Sequence, residues 1–130
     1  MLLKIMIIIG LLFNLLSCSE KPIPKKKSAE LEGTIMTIMS IDRNNEFKGS
    51  SLVLMAPDGY EHIIFKIKIE GKRININSAK LIDKKNINYD SVVRYNYRPV
   101  ENAEIDFAFY VPKRTSPQYL HIENFIFEFK

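Results

Sequence analysis

Residues His62 to Glu70 alternate, with Ile63, Phe65, Ile67 and Ile69 on one side and His62, Lys66, Lys68 and Glu70 on the other. A period of two puts successive side chains on opposite faces of a pleated strand, which an amphipathic helix does not do. The same period returns at Ile105, Phe107, Phe109 and Val111 against Asp106, Ala108 and Tyr110. It returns again within Asp90–Arg98, where Val93, Tyr95 and Tyr97 oppose Arg94, Asn96 and Arg98. From Glu30 onward the chain is therefore expected to be built from strands.

Gly33 to Ile41 reads as a long first strand, with Ile35, Met39 and Ile41 on one side and Met36 and Ile38 on the other. Apolar residues on both faces predict a strand buried on both sides, or one that bends between sheets. Asp42–Ser50 is polar and is expected to be a loop, and Leu52–Ala56 a second strand. Pro57-Asp58-Gly59 is a turn, because Pro presets φ and Gly accepts a positive one. Gly71-Lys72 fits a two-residue type II′ hairpin. That register pairs Ile69 with Ile74 and Ile67 with Ile76, and on the other face Glu70 with Arg73 and Lys68 with Asn75. Asn77–Asp83 reads as a cap and a short helix with Leu81 and Ile82 facing inward. Lys113–Gln118 is a proline-containing loop. In the last strand, Tyr119–Phe129, the apolar parity moves from Leu120 and Ile122 to Phe125, Phe127 and Phe129, which predicts a bulge at Glu123-Asn124.

The N-terminus obeys different rules. Leu2 to Leu16 is apolar apart from Lys4 and Asn14, and closes on Leu15-Leu16-Ser17-Cys18. The run is about fifteen residues, short of the roughly 20 that a spanning helix needs. A positive charge, an apolar core and a small residue before Cys18 make a signal peptide. The segment resembles the lipobox of bacterial lipoproteins, with Leu at −3, a small residue at −1 and Cys at +1. The resemblance implies cleavage between Ser17 and Cys18, a diacylglyceryl group on the Cys18 thiol and acylation of the freed amine. One acyl chain anchors marginally and several hold firmly. It also implies a membrane-anchored protein on the periplasmic or cell-surface side. Ser19 at +2 is similar to the outer-membrane sorting pattern of diderm bacteria.

Removal of residues 1–17 takes Lys4 with it and leaves 113 residues, with 18 basic and 15 acidic side chains and a net charge of +3. Ser19–Ala29, with two prolines and three consecutive lysines, cannot bury a face and is expected to be a flexible tether. Lys25-Lys26-Lys27 are spacer charges, or lean on anionic headgroups. The expected organisation is a signal peptide at 1–17, a lipidated cysteine and tether at 18–29, and one β domain at 30–130. That domain holds no second cysteine, so a hydrophobic core must hold it together.

Short strands with turn signals predict a barrel or a sandwich. A lone helix after the third strand and a first strand apolar on both faces predict a small OB-like barrel, with another small barrel or a sandwich as the alternative. The opening Glu32-Gly33-Thr34-Ile35 and the stretch Asn88-Tyr89-Asp90-Ser91-Val92-Val93 resemble small OB-fold envelope lipoproteins and stress-related envelope proteins of bacteria. The three strands after the helix exceed that family's two.

No catalytic constellation stands out. His62 and His121 are isolated and expected to be exposed strand residues, which leaves no metal site, and no cofactor is implied. The glycines of the domain are scattered, so no phosphate loop exists. Carboxylates such as Glu101 and Glu104 fall in a loop. The domain is expected to be non-catalytic. The candidate binding residues are Lys66, Lys68, Arg73, Arg94, Arg98 and Tyr110, with Lys72, Tyr60 and Tyr89 near them, on outward strand faces. The bland alternative is a soluble β surface with edge-protecting lysines. The expected function is a lipid-anchored envelope protein with a binding or interaction domain for an envelope protein, a glycan or a small anionic ligand. A structural or stress-response lipoprotein without a small ligand is the alternative. Nucleic acid is not an expected partner, because the net charge is mild and the location extracytoplasmic.

Overall fold

A computed structural model describes residues 20–49, 52–92 and 99–130. The signal segment with Ser17, Cys18 and Ser19 lies outside the described residues, as do Arg94 and Arg98 in the strand expected at Asp90–Arg98. Strands β1 (Ser28–Leu31), β2 (Thr34–Asn44), β5 (Tyr60–Gly71) and β10 (Ala103–Pro112) form one four-stranded antiparallel sheet in the order β1-β2-β5-β10. Strands β7 (Ala79–Asp83), β8 (Asn88–Asp90), β11 (Pro117–Ile122) and β12 (Phe125–Glu128) form a second, in the order β12-β11-β7-β8. Two short ribbons join β3 (Glu46–Lys48) to β4 (Val53–Met55), and β6 (Ile74–Asn75) to β9 (Pro99–Val100).

Alternation in β5 is the organising element. Ile63, Phe65, Ile67 and Ile69 are fully buried, and the facing Phe107, Phe109 and Val111 of β10 extend the same surface. From the second sheet Ala79, Leu81, Leu120, Ile122, Phe125, Phe127 and Phe129 close on it. Phe65 lies edge-on to Phe109, with ring centres 5.9 Å apart, and 5.6 Å from Phe129, so aromatic contacts span both layers. Truncating Ile69 to Ala should cost about 2–5 kcal/mol. Lys68→Ala, on the opposite face, should stay within roughly 0.5 kcal/mol. Urea denaturation of the two variants checks the register, and equal losses would show it to be displaced.

Several expectations need correction, each for a physical reason. The first strand is not buried on both faces. Its register shifts between Ile38 and Ser40, so the inward set is Met36, Ile38 and Ile41, while Met39 is 50% exposed. One extra residue in a strand reverses its parity. The strand also runs on to Asn44, and Glu46–Lys48 is paired, so the loop expected at Asp42–Ser50 is largely strand.

The hairpin at Gly71-Lys72 does not form. β5 is flanked by β2 on one edge and β10 on the other, and both ladders reach its end, with Gly71 opposite Thr34 and Ile69 opposite Ala103. No edge is left for Ile74 and Asn75, which pair instead with Val100 and Pro99. The helix expected at Asn77–Asp83 is β7. Ala79, Leu81 and Asp83 are buried in alternation, and β7 gains ladders to β8 and β11. A helix this short is marginal in water. The bulge expected at Glu123-Asn124 is a two-residue turn, because Ile122 pairs with Phe125 and the chain reverses there. With a strand in place of the helix and two separate sheets, the domain is a β-sandwich rather than an OB-like barrel. Single bridges, Pro24 to Phe129 and Ser91 to Phe109, stitch the sheets together at both edges.

The stretch expected to be a tether is also paired. The Lys130 amide donates to the Ile23 carbonyl (2.8 Å), Lys25 N–H to Glu128 O (2.8 Å) and Ile38 N–H to Lys27 O (2.7 Å). Ser28 and Ala29 already belong to β1. The strand edges of β12 and β2 accept whatever chain passes along them, and proline or lysine content does not prevent that. A hydrogen bond to Glu128 and its charge hold the Lys25 ammonium above the usual lysine pKa range.

Candidate functional site

Strand alternation sends one row of β5 side chains into the core and the other onto the outer face of the first sheet. That outer row is Tyr60, His62, Ile64, Lys66 and Lys68, spaced about 6.6 Å apart at 3.3 Å per residue. Beside it, β10 presents Tyr110, Ala108, Asp106 and Glu104, opposite His62, Ile64, Lys66 and Lys68 in turn. On the other flank β2 presents Asn44, Asp42 and Ser40, opposite His62, Ile64 and Lys66.

The β3–β4 ribbon folds over one end of this face. Phe47 is buried, with its ring centre 6.3 Å from that of His62. Between ribbon and sheet lies a groove of about 340 Å³ with Ile64 in its lining, polar side chains Ser40, Asp42, Asn44 and Lys66, and Phe47 and Glu46 along the ribbon. On the same face, outside the groove's lining, Tyr60 and Tyr110 stack in parallel, 4.9 Å apart and 1° from coplanar, each 38% exposed. The Tyr110 ring is also 5.9 Å from that of His62.

His62 was expected to be exposed and is buried, because the ribbon covers it. Among the described residues its Nδ1 has no hydrogen-bond partner. His121 lies beside Tyr119 on the second sheet, 6.1 Å between ring centres. Among the described residues no three His, Cys, Asp or Glu side chains converge.

Of the residues proposed from the sequence, Lys66, Lys68 and Tyr110 share this face. Arg73 does not. It lies beyond the end of β5, with its Nε 3.3 Å from Glu101 Oε2, in a separate depression of about 360 Å³ lined by Leu31, Thr34, Lys72 and Phe125 among others. Nor are the two lysines a cationic strip. Lys66 sits across from Asp106, and Lys68 across from Glu104 and 3.6 Å from Glu70. The face is polar, charge-balanced and aromatic at one end.

Two features escaped sequence reading. Phe47 lay in an expected loop, where one aromatic among polar residues was its only signal. Arg43 and Glu61 form a buried ion pair at the end of the sandwich, where Arg43 also donates to the carbonyls of Thr115 (2.6 Å) and Glu20 (2.8 Å). The bulge in β2 turns Arg43 inward, and no pattern in the sequence reveals it. Nearby, Asp83 Oδ1 accepts the Lys85 and Ile87 amides, and Oδ2 the Tyr89 hydroxyl (3.3 Å). Burial, and then the Asp83 charge, push the Tyr89 pKa up.

No family model matches the chain, and no curated protein matches it in sequence. Its fold is similar to that of an uncharacterized β-sandwich protein from Clostridium difficile, known from a crystal structure, with a TM-score of 0.54 and 10% identity over 83% of this chain and 92% of that one. At that identity the likeness is one of fold: the chain is an all-β protein of the sandwich architecture.

Proposed function

We propose that this protein is a cell-envelope lipoprotein, anchored through Cys18, whose sandwich is a non-catalytic binding module. The observation that carries the anchoring is the succession Leu15-Leu16-Ser17-Cys18 immediately ahead of a domain whose paired backbone starts at Ile23. Metabolic labelling with a fatty-acid probe should mark the wild type and leave Cys18→Ser unmarked. Equal labelling of the two would overturn the anchor.

The stacked Tyr60–Tyr110 pair and the polar groove beside it support a ligand that is neither strongly charged nor wholly apolar, which suits a glycan chain. Exposed ring faces pack against the apolar faces of sugars, and Asn44, Asp42 and Ser40 offer hydrogen bonds to hydroxyls. The charge balance around Lys66 and Lys68 favours this over a small anion. A second reading is contact with another envelope protein, favoured by the β3–β4 ribbon, where Leu52, Val53 and Met55 are 46%, 56% and 66% exposed. Patches of this kind mark interaction sites. Co-sedimentation with purified cell-wall glycan separates the two. Retention that falls about tenfold in Tyr110→Ala, a loss of roughly 1.4 kcal/mol, supports the glycan. Retention unchanged in Tyr110→Ala but lost in Met55→Asp supports the protein contact.

A further inference from the structure

The two ends of the sandwich differ in charge. One end gathers residues 20–22, the connections 57–59, 84–87 and 113–116, and Lys130. Backbone bonds hold these pieces together: Lys113 N–H to Gly59 O (2.9 Å), Lys84 N–H to Ser116 O (2.9 Å) and Lys130 N–H to Ile23 O (2.8 Å). This end carries six basic side chains, Lys21, Lys84, Lys85, Lys113, Arg114 and Lys130, against the acidic Glu20 and Asp58. Lys21 is offset by Asp42, 3.2 Å away, Lys84 Nζ donates to the Lys130 carbonyl (3.1 Å), and Arg114 is also engaged. The opposite end, formed by 32–33, 72–73, 76–78, 101–102 and 123–124, has two basic and three acidic side chains among the described residues. The basic end also exposes two large apolar side chains, Ile23 at 59% and Ile87 at 48%.

Chain geometry ties that end to the anchor. Ile23 lies five positions after Cys18, and five residue steps reach about 17 Å at full extension. β5 alone, at 12 residues, is about 40 Å long at 3.3 Å per residue. A lipid on Cys18 therefore holds the basic end at the bilayer and leaves the acidic end beyond its reach.

We propose that the turns at 84–87 and 113–116 form a membrane-docking surface for anionic phospholipid headgroups, with Ile23 and Ile87 entering the headgroup boundary. This rests on the lipid anchoring of Cys18 proposed above. Ammonium and guanidinium groups are complementary to phosphodiester anions, and a basic surface combined with apolar side chains is what binds an interface from one side. The groove between ribbon and sheet has no residue of these two turns in its lining.

The test uses the full, acylated chain reconstituted into vesicles of phosphatidylcholine alone or mixed with phosphatidylglycerol. A membrane-impermeant amine reagent labels the lysines, and peptide mass spectrometry reads each site. On the anionic vesicles Lys84, Lys85 and Lys113 should label several-fold more slowly than on phosphatidylcholine, and Lys72, at the opposite end, at the same rate on both. The protection should vanish near 1 M salt, where the screening length is about 3 Å. Lys84→Glu/Lys85→Glu should abolish the protection of Lys113 while the protein still floats with the vesicles. Flotation on phosphatidylcholine at high salt reads the anchor alone. Flotation with uniform labelling at both ends overturns the docking surface and leaves the anchor standing. Absence of flotation overturns the anchor and this inference with it.

Discussion

Gly71→Ala should destabilise the protein by about 3–5 kcal/mol, whereas the same change at Gly59 should cost only about 1–2 kcal/mol. Both glycines have positive φ, 84° at Gly71 and 85° at Gly59, so both variants carry the left-handed penalty of an L-residue. Their surroundings differ. A Cβ on Gly59 meets nothing within 4 Å, while a Cβ on Gly71 runs into the carbonyl oxygen of Gly33. That carbonyl is fixed: it accepts the Lys72 amide (2.9 Å), and the Thr34 hydroxyl beside it donates to Lys72 O (2.7 Å). Relieving the clash means parting β2 from β5 at the end of a ladder that runs from Thr34 opposite Gly71 to Asn44 opposite His62. Guanidinium denaturation of the two variants is the measurement. Equal losses at the two glycines would show that the β1–β2 turn does not press on β5 as described.

The second large effect is expected at Glu61. The Glu61 and Arg43 side chains are 11% and 13% exposed, and Arg43 also donates through Nε and Nη2 to two backbone carbonyls. Glu61→Ala leaves a positive charge buried without its counter-ion, which costs about 3–5 kcal/mol. Lys21→Ala, which breaks an ion pair whose partners are 62% and 57% exposed, should cost less than about 1 kcal/mol. Thermal unfolding at neutral pH distinguishes them. A loss at Glu61 no larger than at Lys21 would mean that water reaches the Arg43 pair freely.

The correct and the misplaced expectations share one local logic. Alternation in β5 and β10 was legible because each strand has one face on the core, and a two-residue period leaves no other way to bury four isoleucine and phenylalanine side chains. The turn at Pro57-Asp58-Gly59 was legible because its chemistry is local, and the Tyr60 amide indeed closes it on Pro57 O (3.0 Å). Gly71 was correctly marked as a positive-φ position, but its consequence was misread. A glycine states what φ the chain adopts and not which strand comes alongside. The parity change at Glu123-Asn124 likewise told of a discontinuity without telling a bulge from a reversal.

By itself the sequence determined the period of the strands, the sites of positive φ at Gly59 and Gly71, and the all-β class. These depend on neighbours a few residues away. Only the tertiary structure decided which edges pair. β2 and β10 occupy both sides of β5, so Ile74 is turned away to Val100. β8 and β11 flank Ala79–Asp83 and make it a strand. β12 captures residues 23–25. The candidate site follows the same division. Lys66, Lys68 and Tyr110 were legible as outward-facing, but their company was not. Asp106 and Glu104 beside the lysines, Tyr60 stacked on Tyr110 and Phe47 over His62 come from strands and ribbons distant in sequence. Strand pairing is settled by the free energy of burying two sheets against each other, a sum over the whole chain that no local window contains.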